Sequence, residues 1–175
     1  KAHSNLAVVD MKRGNWAAAA TAHAAALAVQ EKVLGPDHFD VAATLFNLGT
    51  AQLRAGDHAA AIVSARRAVA GYEQAAPNTS RHVYALRLLA EALLTAGELD
   101  EGERLARRAL VLADAVGGAA YFDCTIEVAR ADILRGQRLD EARAFLAAAR
   151  PQFAQYPEVF AKQLSTIDAL TARLK

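Results

Sequence analysis

The sequence predicts an all-α fold, an array of helical hairpins stacked side by side. Three observations predict it. Of 175 residues, 44 are Ala and only four are Ile, with 6% aromatics, a mixture that favours helix and disfavours strand. Four glycines recur in one local setting, Arg13-Gly14-Asn15, Ala55-Gly56-Asp57, Ala96-Gly97-Glu98 and Arg135-Gly136-Gln137, at spacings of 42, 41 and 39 residues. A period of roughly 40 marks stacked helical units. Small residues also recur at fixed offsets from those glycines: Ala7, Gly49, Ala90 and Ala129 before them, and Ala19/Ala26, Ala61/Ala68 and Gly102/Ala109 after them. In the fourth unit Ala142 and Ala149 fit after one inserted residue. All twelve positions are Ala or Gly, types that supply 54 of the 175 residues, so composition alone does not produce the pattern.

Each unit therefore reads as helix A, a glycine turn and helix B folded back antiparallel. Small residues on the facing sides let the two backbones approach at the short end of the usual interaxial range. Glycine ends helix A because it enters the left-handed region without a Cβ penalty. Asn15 and Asp57 follow as N-caps of helix B. The predicted pairs run over about 2–13 and 15–34, 40–55 and 57–75, 81–96 and 98–116, and 120–135 and 139–154. The linkers GPDH (35–38), APNTS (76–80) and VGG (116–118) carry the breaker residues. Pro151 is expected to break or kink the last helix B, and Pro157 to open a capping helix over about 157–174. That helix carries an apolar stripe of Phe160, Leu164, Ile167, Leu170 and Leu174, suited to cover the end of the array. The whole of 1–175 is expected to be a single array, with units at about 2–39, 40–80, 81–118 and 119–155.

Composition excludes several functions. A chain that is 54% hydrophobic is not a disordered tail. A single cysteine supports neither a disulfide framework nor a zinc site of its own. Twenty basic against nineteen acidic residues give no global attraction to nucleic acid or to an anionic membrane, so neither is expected as a partner. The opening KAHSNLAVVDMKRG contains no signal-peptide core, and the longest apolar run, 17–29, is too weak to span a bilayer. The chain reads as a piece of a larger cytoplasmic protein, and its 15 Arg against 5 Lys suggest a GC-rich bacterial source.

No chemistry-bearing motif is present: no phosphate loop, HExxH, GxSxG or CxxC, so neither enzyme activity nor a cofactor is expected. His3, His23, His38, His58 and His82 are scattered, and His23 and His58 read as packing groups. Cys124 reads as a small buried thiol rather than a nucleophile. Asp100-Glu101 and Asp140-Glu141 open B helices, where carboxylates favour the helix dipole. Trp16 suits packing between the first two helices. Arg66-Arg67 and Arg107-Arg108 recur on successive B helices and read as a solvated outer face.

The pattern resembles tetratricopeptide repeats, and among them the 42-residue kinesin-light-chain-like kind. The residues that carry the resemblance are NLA (5–7), EKVLGPDHFDVAATL (31–45) and FNLGTAQLRAGDHAAA (46–61). LLAEALLTAGELDEGERLARRAL (88–110) and RGQRLDEARAFLAAA (135–149) carry it more loosely. The resemblance implies a right-handed α-solenoid of four repeats and a capping helix, with a concave groove of A helices that binds a peptide or protein segment. It also implies a regulatory or signalling parent protein. Carried over position by position, it places Asn5 and Lys12 of the first unit in the groove, with Phe46, Asn47, Thr50 and Arg54 of the second. The third unit supplies Tyr84, Arg87 and Glu91, and the fourth Arg130.

Asn5 and Asn47 stand 42 residues apart, and an amide there either pairs with an extended backbone or ties neighbouring helices together. Leu88 and Glu127 occupy the matching places in the later units. Lys12, Arg54, Arg87 and Arg130 form a potential cationic stripe, although the i,i+4 spacing of Arg87 and Glu91 favours pairing within the groove. The chaperone-tail carboxylate clamp is not expected, because Leu88 replaces its last basic residue. Assembly through exposed array ends, giving a homo-oligomer, is the alternative role.

Overall fold

The computed structural model describes residues 10–11 and 13–174. Eight helices are complete within them: α1 (Trp16–Leu34), α2 (Phe39–Ala55), α3 (His58–Ala75), α4 (Ser80–Ala96), α5 (Leu99–Val116), α6 (Ala119–Arg135), α7 (Leu139–Ala154) and α8 (Ala161–Ala172). No strand occurs among the described residues. The predicted helix over 2–13, and with it Asn5 and Lys12, lies outside them apart from its last turns.

All four repeat glycines make the same turn, and the turn explains the period. Gly14, Gly56, Gly97 and Gly136 have φ of +77°, +88°, +90° and +64°. At Gly56 the glycine N–H donates to the Leu53 carbonyl at 3.2 Å, and the next N–H, of Asp57, donates to the Gln52 carbonyl at 2.9 Å. The same pair of bonds closes on Met11 and Asp10, on Leu94 and Leu93, and on Ile133 and Asp132. This is the Schellman ending, in which two orphan helix carbonyls are satisfied by one left-handed residue. Asp57 then caps α3 by accepting from the Ala60 N–H at 3.1 Å. Asn15 does not cap α1: its amide turns back to donate to Asp10 at 3.4 Å. The inserted residue of the fourth unit is visible as Arg138, which takes a left-handed φ of +46° immediately before α7.

The hairpins close on small residues, as their spacing requires. Ala19, Ala61, Ala68, Ala90, Ala109, Ala129, Ala142 and Ala149 are all fully buried. A Cβ on Gly49 would stand 3.3 Å from the Ala65 nitrogen, and one on Gly102 would stand 2.8 Å from the Leu94 side chain. The larger core residues lie between successive hairpins. Tyr72, Leu86, Leu88 and Leu89 fill one cluster that runs from α1 to α6. Leu146, Phe153 and Ile167 anchor a second cluster that joins α6, α7 and α8.

The stacking order sets where a ligand face can be. Each helix packs on its chain neighbours, and in addition α2 touches α4, α4 touches α6, and α6 touches α8. The B helices α3, α5 and α7 make no comparable contact with one another. The A helices thus form the inner, closely spaced row. Helix α8 takes the position that the A helix of a further unit would hold, packing on both α6 and α7.

One proline expectation changes. Pro151 lies inside α7 without breaking it, and the helix ends at Ala154 as predicted. Pro157 falls in the turn between α7 and α8, and α8 starts at Ala161, later than expected.

Candidate functional site: the inner face of the A helices

The inner row collects most of the charged side chains of α2, α4 and α6 into one cavity of about 210 Å³. Arg54 comes from α2, Arg87 and Glu91 from α4, and Asp123, Glu127 and Arg130 from α6. Helix α8 closes one side with Lys162, Gln163 and Thr166. Helical periodicity places these groups together: Arg87 and Glu91 are one turn apart, as are Asp123, Glu127 and Arg130.

Glu91 is the hub. Its Oε1 accepts from Arg54 Nη1 at 2.8 Å, and its Oε2 accepts from Arg87 Nη1 at 3.4 Å. Lys162 Nζ stands 3.8 Å away. Glu127 sits one unit further along, 3.6 Å from Arg87 Nη1 and 3.6 Å from Arg130 Nη1, with its side chain only 6% exposed. Gln163 donates to Asp123 at 3.4 Å. Burial alone would lift Glu91, but Arg87 and Arg54 outweigh it and hold the carboxylate below its ordinary range. Burial pushes Glu127 up to about 7, aided by the charge of Glu91 and only partly opposed by Arg87 and Arg130. Burial also raises Asp123.

Of the residues expected in the groove, Arg54, Arg87, Glu91 and Arg130 converge on this cavity. Phe46 and Tyr84 line a separate, mainly apolar hollow of about 330 Å³ with Tyr72, Ser80 and Arg81. The Arg87 guanidinium lies 6.0 Å from the Tyr84 ring centre and links the two hollows. Asn47 is half-buried on α2 and makes no side-chain hydrogen bond among the described residues. The Thr50 hydroxyl donates to the Phe46 carbonyl within its own helix, at 2.9 Å. Asn5 and Lys12 fall outside the described residues.

The contribution of α8 was missed from the sequence. Gln163 and Thr166 are three residues apart beside the Leu164–Ile167–Leu170 stripe, so a helix that buries that stripe carries them along one edge. Counting from the stripe alone would have shown which residues border the neighbouring helix.

On the outer face, read from the sequence as solvated, Arg66, Arg67, Arg107 and Arg108 are paired across the units. Arg66 is bidentate to Glu101 of the following B helix, at 2.6 and 3.0 Å. Arg107 reaches Glu141 of the next one at 3.2 Å. Arg67 pairs with Glu31 and Arg108 with Glu73, each on the preceding B helix. Arg66 and Arg107 are 41 residues apart, and Glu101 and Glu141 are 40 apart. The rungs therefore repeat with the units. Between the third and fourth units they thicken into a cluster: Asp132, fully buried, accepts from Arg107 at 2.8 and 3.0 Å and from Arg138 at 2.9 Å.

The remaining polar residues have structural surroundings. Cys124 is fully buried, and burial pushes its thiol up to about 12. His23 and His82 are buried, and desolvation lowers both. His38 caps α2, its Nδ1 accepting from the Asp40 N–H at 3.1 Å. Trp16 is half-buried at the start of α1. Among the described residues there is no group of three or more His, Cys, Asp or Glu placed to hold a metal, and no helix is long and apolar enough to cross a membrane.

Models of the tetratricopeptide repeat match residues 1–74 and 83–108. No curated protein matches the chain significantly in sequence. Several solved structures share its fold. BtubC (BKLC) from P. vanneervenii superposes with a TM-score of 0.77 at 17% identity, over 87% of this chain and 62% of that one. A putative kinesin light chain from Podosopora anserina, with nearly identical TPR-like repeats, gives 0.73 at 17% identity over 99% and 92%. A Rap protein complexed with competence and sporulation factor gives 0.82 at 17% identity over 98% and 47%. This chain thus spans less than two thirds of BtubC and about half of the Rap protein. The four identical glycine endings, the small-residue hairpins and the matched repeat models together establish that the chain belongs to the tetratricopeptide repeat family.

Proposed function

We propose that the chain is a non-catalytic docking scaffold whose inner face holds an extended segment of another protein. Tetratricopeptide repeats are in general protein-interaction modules, and the Rap protein that shares this fold is complexed with a factor. The observation that carries the reading is the inner row itself. Three A helices and α8 turn Arg54, Arg87, Glu91, Arg130 and Lys162 toward one open hollow, next to an aromatic one at Phe46 and Tyr84. A polar hollow beside an apolar one suits a peptide, which offers both backbone hydrogen bonds and side chains. Asn47 and Thr50 lie on the same helix as Phe46 and Arg54, and Asn5 and Lys12 extend the track into the first unit by the sequence period. In this reading residues 1–175 form one array within a larger cytoplasmic regulatory protein of bacterial type.

Stacking of arrays end to end through the first unit is the alternative reading, and that surface lies outside the described residues. The test is an NMR titration with peptides selected on the protein from a random display library. Amide shifts at Phe46, Asn47, Arg54 and Arg87 are the expected result, with affinity lowered by Asn47→Ala. Shifts confined to the outer rungs at Arg66 and Arg67 would overturn the reading.

A further inference from the structure

We propose that the cavity between α2, α4, α6 and α8 is a subsite for a single oxyanion, carboxylate or phosphoryl, with the capping helix supplying one wall through Lys162. The inference rests on the groove reading above and adds the chemical class of one group that the bound segment presents there.

Hydrogen-bond accounting carries it. Three guanidiniums and one ammonium surround the cavity, and each guanidinium has five N–H donors. Only two of those donors are used within the cavity, Arg54 to Glu91 at 2.8 Å and Arg87 to Glu91 at 3.4 Å. The Arg87 Nε is buried without an acceptor. Arg130 makes no hydrogen bond among the described residues, its nearest carboxylate oxygen standing 3.6 Å away. Glu127, 4% exposed, has a buried Oε2 that likewise lacks a partner. Even with that one carboxylate oxygen set against them, the unused N–H donors of Arg54, Arg87 and Arg130 outnumber the acceptors that face them. A ligand with several acceptor oxygens and negative charge satisfies them, because charge-assisted bonds to guanidinium are the strong kind.

The charges agree with the count. Arg54, Arg87, Arg130 and Lys162 give four positive charges, and Glu91, Asp123 and Glu127 give at most three negative ones. With Glu127 protonated the surplus grows by one. The groups facing Glu127 are Arg54 from α2, Arg87 and Glu91 from α4, Asp123, Cys124 and Arg130 from its own helix, and Lys162 from α8. Helices α5 and α7 contribute no residue to the cavity lining. Placing an anion among these groups favours the protonated form of Glu127. Anion binding is therefore accompanied by proton uptake, and it weakens as the pH rises through the range where Glu127 ionises.

The experiment uses sulfate and acetate as probes, sulfate standing for a phosphoryl group and acetate for a carboxylate. Sulfate keeps its charge across the pH range used. Each is titrated at constant ionic strength made up with chloride, while the arginine Nε–H signals are followed by NMR. The expected result is a saturable shift at Arg87 and Arg130 with at least one probe, weakened several-fold by Arg130→Gln and by Lys162→Gln. Which probe binds more tightly distinguishes the phosphoryl from the carboxylate source. Between about pH 6 and about pH 8 the sulfate affinity should fall about tenfold, as expected when only protonated Glu127 is competent, and Glu127→Gln should abolish that dependence while retaining binding.

Circular dichroism of each variant confirms the helical fold. Shifts that never saturate, that chloride reproduces, or that survive in folded Arg130→Gln unchanged would overturn the proposal. The two readings fail separately. Peptides that bind at Phe46 and Asn47 while neither anion binds leave the docking groove standing without this subsite. Anions that bind while no peptide perturbs the inner face remove the docking groove and leave the subsite.

Discussion

Replacing Glu127 with glutamine should make the protein more stable at alkaline pH and change it little in acid. An ordinary glutamate ionises near the reference value of 4.5, whereas burial and the neighbouring Glu91 push Glu127 up to about 7 in the folded chain. Below the lower value both folded and unfolded chains carry the proton, and ionisation contributes nothing. Between the two values the unfolded chain has lost the proton while the folded chain keeps it. Folding then takes up a proton, and stability falls as the pH rises. Above about 7 both states are ionised and the whole penalty remains, about 3 kcal/mol at roughly 1.4 kcal/mol per unit of pKa difference. Glutamine has nearly the same shape and cannot ionise.

Glu91 works in the opposite sense, since its depressed value contributes stability at neutral pH that is lost in acid. It is present in both proteins and cancels from their difference to first order. Urea unfolding followed by circular dichroism, at about pH 4 and about pH 8, gives the comparison by linear extrapolation. The stability of the glutamine variant relative to the parent should rise by about 3 kcal/mol between the two. A difference that stays constant within about 0.5 kcal/mol, or that grows toward acid, would refute the reasoning.

Two further outcomes follow from packing and charge. Gly102→Ala should destabilise by about 1–3 kcal/mol despite a helix-propensity gain of at most about 1, because the new methyl meets the Leu94 side chain at 2.8 Å and its backbone nitrogen at 3.2 Å. Urea midpoints measure this directly. Asp132→Ala should cost about 3 kcal/mol by stripping Arg107 and Arg138 of a fully buried acceptor, whereas Arg66→Ala, which breaks an exposed rung, should cost less than about 1. Equal losses from the two in thermal unfolding would contradict this ranking.

The fold was legible because its cause is local and repeated. Each repeat glycine takes a left-handed conformation, the alanines at the helix contacts are fully buried, and a Cβ at Gly49 or Gly102 would crowd its neighbour. Such constraints act one unit at a time, so they mark the sequence with the period of the structure. Pro151 removes a hydrogen bond late in α7 without ending the apolar face that Phe153 continues into the core, so the helix runs to Ala154, the bound its pattern predicted. Asn15 misled because an asparagine after a glycine has a second partner within reach, Asp10, in the turn just completed.

The site was legible in part. Arg54, Arg87, Glu91 and Arg130 lie on predicted A helices at one helical phase, so their convergence followed from periodicity. The edge of α8 that carries Gln163 could be counted from its apolar stripe, but not that this edge walls the cavity, because α8 packs at a break in the period, after the Pro157 turn. The outer rungs were also hidden: Arg66 and Glu101 are 35 residues apart, and only the stacking of whole hairpins brings them together.

The two faces of the array are joined by different materials. Inner helices pack against one another directly, while outer helices are spanned by long guanidinium side chains reaching across to carboxylates. Side chains of that length tolerate a change of span that closely packed helices do not, so any flexing of the superhelix hinges along the inner row and is taken up outside. The outer spans are also exposed to dissolved ions, which screen them. Raising the ionic strength is therefore expected to relax the outer side first, and with it the spacing of the A helices around the inner hollow.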